Sequence, residues 1–473
     1  MVPLRAHGAE PTPIQTNDYA LEFFTGPLIA PTRVTGFAGA FNAAAESVDG
    51  GPVNAAAPAI REPFSFDWFD FDLNLDVSLP VSFPGPHGGT DFNNRGQKAN
   101  QQLLDKVDSF QYLNLGAQLQ FGELGTSVNA EFLQYSISPP AQDTPGLNLT
   151  LGRYHALAAY GIAGNQFAVG GGLRGVTAQV NQEGGGQPNR TLLTMTGVSP
   201  EVGVIIKPDN MPWRLGVTAR APVSGRSFGR GAVQEEAGVV RTGPFVLPSK
   251  VVLPWELEAG FAFQLGPRPL NPPWINPHEV ERPVSEKLAA VRQARAHEHV
   301  LELAKLTPAE RDARRAEILR EETAIRDIED QHVAQEAQRL RDVRRARYEN
   351  WPRERILLLV SVLVAGPSDT AVSMEGFLEQ RLELVGRLPS VIPHIGFESE
   401  PIPNLFRARV GSYLEPSRFS DGHARQHFTF GADFRLFPFS GWGLFGDQVW
   451  RLSVALDVAP RYANPVFGLA AWH

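Results

Sequence analysis

The chain contains no cysteine among its 473 residues, so disulfides, thiolate catalysis and cysteine-held zinc or iron–sulfur centres are excluded. It also lacks a long hydrophobic run. The longest, Ile356 to Ala365, is interrupted by Ser361 and falls far short of the roughly 18 apolar residues that a membrane-crossing helix needs. Mean hydropathy is -0.18, which reads as soluble, but this test misses membrane barrels, in which only alternate residues of each strand face lipid. A basic surplus is missing too: 43 Lys and Arg stand against 51 Asp and Glu, a net charge of -8 that argues against a nucleic-acid partner. Catalytic signatures are absent, with no Gly-x-Ser-x-Gly, no His-Glu-x-x-His and no P-loop. No enzyme, cofactor or metal site is therefore expected. His423 and His427 are four apart, but at a loop-to-strand junction and not on a helix. Met1 to Glu10 has no apolar core of a signal peptide, so an exported chain would be a mature form with an added Met, or one whose start codon was assigned too late.

What the chain does have is glycine (45), proline (39) and phenylalanine (29), a composition suited to many strands joined by turns. From Phe69 to Leu79 the alternation is strict. Phe69, Phe71, Leu73, Leu75, Val77 and Leu79 share one face, while Asp70, Asp72, Asn74, Asp76 and Ser78 share the other. Period two means a strand with one apolar and one polar face. Comparable segments follow at 110–122, 126–138, 147–161, 166–180, 191–206, 212–223 and 252–265, and again at 354–366, 388–398, 404–414, 425–437, 448–459 and 464–472. That makes about 14 strands, each near or above the roughly 9–11 residues that cross a bilayer. Connections alternate between short (122–125, 164–165, 208–212, 399–403) and long (80–109, 139–146, 181–190, 224–250, 367–387, 415–424). Short turns on the periplasmic side and long loops outside are the rule for outer-membrane barrels, and an even count puts both chain ends in the periplasm. A soluble propeller or sandwich needs no such asymmetry. Trp68, Trp213, Trp255, Trp442, Trp450 and Trp472 lie near strand ends, as interfacial girdles do, and the last strand ends in Trp472.

The expected organisation is an all-β, transmembrane antiparallel barrel with additions. Residues 1–16 form a disordered leader, 17–62 an N-terminal plug, 63–266 strands one to eight, 267–353 a helical insertion and 354–473 strands nine to fourteen. The insertion is rich in Ala, Arg, Glu and Leu, and its 283–350 stretch has no glycine. Thr307-Pro308-Ala309-Glu310 is a helix start, with Thr as N-cap, Pro in the first position and Glu closing the capping box. Two helices are expected, at about 284–305 and 308–349, with Ile318, Ile325, Ile328, Leu340 and Val343 as a thin apolar stripe on the second. Strand counting places this hairpin on the periplasmic side. It is either a solvated hairpin replacing a turn or a docking arm for a periplasmic or cell-wall partner.

The segment Arg33 to Arg61, RVTGFAGAFNAAAESVDGGPVNAAAPAIR, resembles the plug of FadL-type outer-membrane transporters of hydrophobic compounds. Gly36, Gly39, Ala40, Asp49, Asn54, Pro58 and Ala59 occupy places comparable to that family's motif. The signature Asn-Pro-Ala is opened by three alanines between Asn54 and Pro58. The strand total, the plug-before-barrel order and the segments 389–414 and 425–472 agree with the family's 14-stranded plan; the helical insertion has no counterpart in it. The resemblance implies a luminal hatch, cargo captured at extracellular loops, and release sideways through the wall.

Three features bear on cargo. The strand at 356–364 is apolar on both faces, either to line a greasy path or to pack against the hatch. The luminal face elsewhere is charged: Asp70, Asp72, Asp76, Glu256 and Glu258 are answered by Arg407, Arg409, Arg435 and Arg451 from late strands. Those charges would form a ladder holding the plug, or one arginine, Arg407 or Arg409 foremost, would take a cargo carboxylate through its fork. Phe23, Phe24, Phe37 and Phe41 would contact an apolar ligand or wedge the plug. Gly170-Gly171-Gly172 reads as a strand thinned for a close neighbour. The function expected is passive uptake of hydrophobic small molecules such as long-chain fatty acids, with hydrophobic molecules and outer-membrane lipid as partners. The alternative is a structural barrel anchoring a periplasmic helical arm in an envelope assembly.

Overall fold

Alternating apolar and polar residues commit the chain to strands with one wet and one greasy face, and closing such strands on themselves removes every sheet edge. The structure, a computed structural model, describes residues 12–62, 65, 67–79, 89–95, 106–138, 145–183, 190–226, 228–229, 233–236, 238–420, 422–439 and 448–472. Its barrel strands are β1 (Phe69–Ser78), β2 (Lys106–Phe121), β3 (Leu124–Ser138), β4 (Gly146–Ile162), β5 (Phe167–Glu183), β6 (Arg190–Ile206) and β7 (Trp213–Arg220). They continue as β8 (Glu256–Leu265), β9 (Ile356–Ala365), β10 (Ser390–Ile402), β11 (Phe406–Glu415), β12 (Arg425–Phe439), β13 (Gln448–Ala459) and β14 (Tyr462–Ala471). Each pairs antiparallel with its neighbours in chain order, and β1 pairs with β14 to close a 14-stranded ring.

All fourteen strands expected from the alternation are present. The largest shifts at strand ends are four residues, at the starts of β2 and β8 and at the end of β10, which runs through Pro401 to Ile402 across a register break between Ser399 and Ile402. Proline has no N–H to give the ladder, and the bulge accommodates it. Outside, Val128, Val198, Val202, Leu173 and Phe428 are exposed, and Leu75, Leu115, Phe261, Ile395 and Phe467 continue the apolar surface around the ring. Inside, Asp72, Asn74, Asp76 and Ser78 of β1 are buried, as the alternation requires. An apolar exterior around a polar interior is the pattern of a membrane-spanning barrel. The wall is uneven in height: β4, β5 and β6 have 17 residues each, β7 has 8, and β8 and β9 have 10. The long and short connections read from the sequence fall at opposite ends, but Pro460 and Arg461 alone join β13 to β14 at the long-loop end, and the stretch 440–447 joins β12 to β13 at the short-turn end. Trp442, one of the expected girdle residues, lies outside the described residues.

The position of the N-terminal stretch corrects the expectation that both chain ends lie at the short-turn end. β1 starts there and β14 ends there. Ala20–Glu22, however, is a strand of a cap at the long-loop end, parallel to Lys250–Leu253 and to Ala371–Val372. Residues 1–11 of the expected disordered leader lie outside the described residues. Its remainder is fixed: Ile14 is buried and its N–H donates to the Gln380 carbonyl at 2.8 Å. Asn17 and Tyr19 bond the backbone of Val240, Val246 and Leu247. The sequence hid this because the cap strands come from loops far apart in the chain. From Glu22 the chain descends through the lumen, with the short helices α1 (Thr32–Gly36) and α2 (Ser47–Gly50), to reach β1.

The insertion is a helical hairpin of α3 (Pro277–Ala304) and α4 (Pro308–Glu349). Glu310 accepts from the Thr307 hydroxyl (2.6 Å) and N–H (3.0 Å), the expected cap. α3 starts earlier than expected, because Asn276 caps it and Pro283 is tolerated near its start. Ion pairs knit the hairpin, Arg292 and Arg295 to Glu329 and Arg314 to Glu302. Of the expected stripe, Ile318, Ile325 and Leu340 are half-buried against α3, whereas Ile328 and Val343 face outward. The base is fixed to the barrel: Asn276 donates to Glu123 in the turn between β2 and β3 (3.0 Å) and Trp68 stacks on His278 (5.3 Å).

Candidate functional site

The lumen is where sequence-remote polar groups converge. The plug is seated by side chains from the wall that satisfy its backbone, since a buried N–H without a partner is costly. Asp76 accepts from the Thr32 N–H (2.9 Å) and hydroxyl (2.6 Å), and Asp72 accepts from the Val48 N–H (3.1 Å). Asp49 takes hydrogen bonds from Arg451 and Asn74, each 2.5 Å. Asn54 donates to Asn42 (3.2 Å) and to the Val204 carbonyl (3.3 Å). Gln120 donates to the Pro58 carbonyl (2.8 Å), and Asn165 donates to that of Ala59 (2.6 Å).

Two glycines show how close the fit is. Gly39 has φ +83°, and His394 Nδ1 donates to the neighbouring Ala38 carbonyl at 2.6 Å. A side chain at Gly39 would be strained and would meet that imidazole. On β5, a Cβ at Gly170 would lie 1.9 Å from the Ala55 carbonyl oxygen, so the triple glycine does thin the strand for the plug. Gly36 rests against Gly431 and Arg409. The plug motif Gly36, Gly39, Asp49, Asn54, Pro58 and Ala59 is thus spread along the plug–wall boundary, with no two of its polar members bonded to each other.

The candidate ligand residues separate into groups. Phe37 and Phe41 are fully buried and stacked on each other (5.6 Å), with Arg409 over one ring (5.2 Å) and Arg33 over the other (4.8 Å). Arg409 spends its whole fork on the wall: Nε on Glu398 (2.7 Å) and both terminal nitrogens on Asp433. Arg407 lies nearer the short-turn end, over the Trp472 ring (4.3 Å) and 3.6 Å from Glu400. Among the described residues, Arg435 reaches the Asn404 carbonyl (3.4 Å). On β9, Leu357 and Leu359 are buried against the plug alanines, while Leu363 lines open space higher up.

Phe23 and Phe24 border that space. A cavity of about 150 Å³ lies between the cap and the lower plug. Its plug side is apolar, with Phe23, Phe24, Leu28 and Ile29, and its wall side carries Glu131, Arg153, His155, Arg174, Arg220 and Glu256. These wall groups are mutually bonded: Arg153 and Glu131 at 3.2 Å, His155 and Glu201 at 2.8 Å, and Arg174 and Arg220 on Glu256 at 3.1 and 3.2 Å. Arg153 and Arg220 also hold the plug through the Ile29 (3.1 Å) and Val53 (2.6 Å) carbonyls. The cavity therefore has a greasy side and a charged side. Its charged wall residues, Glu256 and the neighbouring Glu258 excepted, were missed from the sequence, although each sits on the polar face of an alternating strand; nothing local says which polar-face residues share one height. His423 is exposed, and His427 is buried between Glu415 (2.7 Å) and Asp457 (2.8 Å), so the two diverge.

No family model matches the chain, and no curated protein matches it. Solved structures do. A Pseudomonas aeruginosa FadL homologue matches at 9% identity and a TM-score of 0.46, over 96% of this chain and 99% of that one. The Pseudomonas putida toluene transporter TodX matches at 11% identity and a TM-score of 0.45, over 96% and 98%. A TodX deltaS2S3 mutant monoaromatic hydrocarbon channel matches at 10% and 0.43, over 89% and 92%.

Proposed function

We propose that the chain is an outer-membrane channel for passive uptake of hydrophobic small molecules, long-chain fatty acids among them. The observation that carries this reading is the two-sided cavity inside a membrane-type barrel. An apolar chain would lie along Phe23, Phe24, Leu28 and Ile29, and a polar end would meet the charged wall. Pockets that combine apolar lining with a few convergent polar groups are the usual form of small-molecule sites. The motif-like segment Arg33 to Arg61 supports the reading, as does a plug held by many individually modest contacts. No energy source or cofactor is required. The test is flux: liposomes carrying the purified barrel should take up labelled oleate faster than empty ones, and Phe24→Arg should slow them. Flux equal to that of empty liposomes refutes the proposal.

One observation favours the alternative, an envelope barrel with an anchoring arm. Val300, Leu319 and Ile328 are exposed on the hairpin, more than half of each side chain's surface being open. If deleting 283–350 removes a co-purifying periplasmic protein and leaves flux intact, the arm serves assembly.

A further inference from the structure

Two neighbouring cavities lie beneath the plug at the short-turn end. The smaller, about 40 Å³, is ringed by six guanidinium groups: Arg33 of α1, Arg214 of β7, Arg268 of the segment after β8, Arg355 just before β9, Arg407 of β11 and Arg451 of β13. Against these, only Glu46 and Glu62 line it with negative charge. Glu46 is already engaged by Arg33 (2.9 Å) and Arg214 (2.8 Å); behind the ring Glu400 holds Arg268 (3.0 Å) and faces Arg407 (3.6 Å), Glu398 holds Arg355, and Asp49 holds Arg451 (2.5 Å). Arg33 Nε, Arg355 Nε and Arg451 Nε are buried without a hydrogen-bond partner among the described residues. Burial, then the neighbouring Arg355, push Arg268 down to about 10, as expected where positive charge is crowded.

The larger cavity, about 360 Å³, shares Glu62, Pro269 and Tyr348 with the smaller. Trp274, Tyr348 and Trp351 wall it, with Pro272 and Ile275, and Arg61, Arg344 and Arg347 also line it. Arg344, Tyr348 and Trp351 come from the end of α4 and the residues after it, so the insertion builds this space. An oxyanion in the ring would give the unpartnered N–H groups an acceptor. About 40 Å³ is room for a few water-sized groups, and so for a carboxylate.

We propose that the two neighbouring cavities together bind a single-tailed anionic amphiphile, its oxyanion in the arginine ring and its apolar chain beneath Trp274, Tyr348 and Trp351. The site depends on the uptake reading only for the source of its ligand. Equilibrium binding tests it separately, so binding without flux upholds the site and sinks uptake, and flux without binding does the reverse.

The full chain in a nonionic detergent is titrated with 12-bromododecanoate, which quenches nearby tryptophan emission. Saturable quenching is expected, with bromododecanol binding about tenfold more weakly, the loss of roughly one charge-assisted contact. Arg268→Gln and Arg344→Gln should each weaken dodecanoate severalfold, and Trp351→Ala should lower the quenching amplitude. Should Arg268→Gln fail to fold, the half-buried Arg344→Gln and the alcohol comparison keep the test decisive. Equal affinity for acid and alcohol overturns the proposal. So does displacement of the probe by inorganic phosphate or phosphatidylglycerol as readily as by dodecanoate.

Discussion

Asp49 on the plug accepts a 2.5 Å hydrogen bond from Arg451 on β13, a residue 402 positions later in the chain. Both are buried, and Asn74 of β1 occupies the other oxygen of Asp49. Through one carboxylate the plug is thus tied to β1 and β13, the two strands that flank β14.

Asp49→Ala leaves Arg451 buried with Asp433, 3.7 Å away, as its remaining partner. Removing one member of a buried pair costs about 3–5 kcal/mol, and here the loss falls on plug seating, because the strand ladder is untouched. Single channels in planar bilayers should show higher and noisier conductance, with the heat-modifiable mobility of the folded barrel unchanged. A silent channel identical to the native one would show that Asp49 is not a latch.

Gly170→Ala should dislodge the plug by a different route. The added methyl would sit 1.9 Å from the Ala55 carbonyl oxygen, and overpacking of this kind costs about 1–3 kcal/mol. At Gly171 the nearest such atom is 3.3 Å away, so Gly171→Ala serves as the tolerated neighbour. Protease cutting within the plug should increase in the first variant only. Equal protection in both would mean the plug backbone does not approach β5 as described.

Lys207, in the turn after β6, is buried, and burial, then the nearby Arg214, push its ammonium down to about 7. In the unfolded chain it holds its proton to about pH 10. Between about 7 and about 10 the unfolded state therefore binds more protons, and stability rises with pH; below about 7 both states are charged and this slope vanishes. The urea midpoint of the lipid-embedded barrel should rise from pH 7 to 10, and Lys207→Met should flatten the rise. A flat native profile contradicts this assignment.

Much of the fold was legible because a barrel strand repeats one simple rule. The FDFDLNLDVSL pattern of β1 states its register, its faces and its membrane side at once. The α4 cap at Thr307 and Glu310 was equally local. What stayed hidden depends on partners distant in sequence. The luminal carboxylates of β1 were expected to meet late arginines. They hold the plug, as one of the two readings had it, but separately and not as pairs: Asp72 and Asp76 bind plug N–H groups, and Arg451 meets a plug aspartate. Phe37 and Phe41 look no different in sequence from Phe23 and Phe24, yet only the latter pair borders open space. The arginine ring gathers single residues from six segments, so no stretch of sequence announces it.

The central claim is that hydrophobic cargo passes through the lumen past a plug that must shift, and the absence of cysteine allows a clean test. A Cβ at Gly260 of β8 would lie 3.5 Å from that of Ala43 on the plug, within disulfide reach. In liposomes, the Ala43→Cys, Gly260→Cys barrel should lose oleate flux when oxidised and recover it on reduction. Equal flux in the oxidised and reduced states would contradict the account.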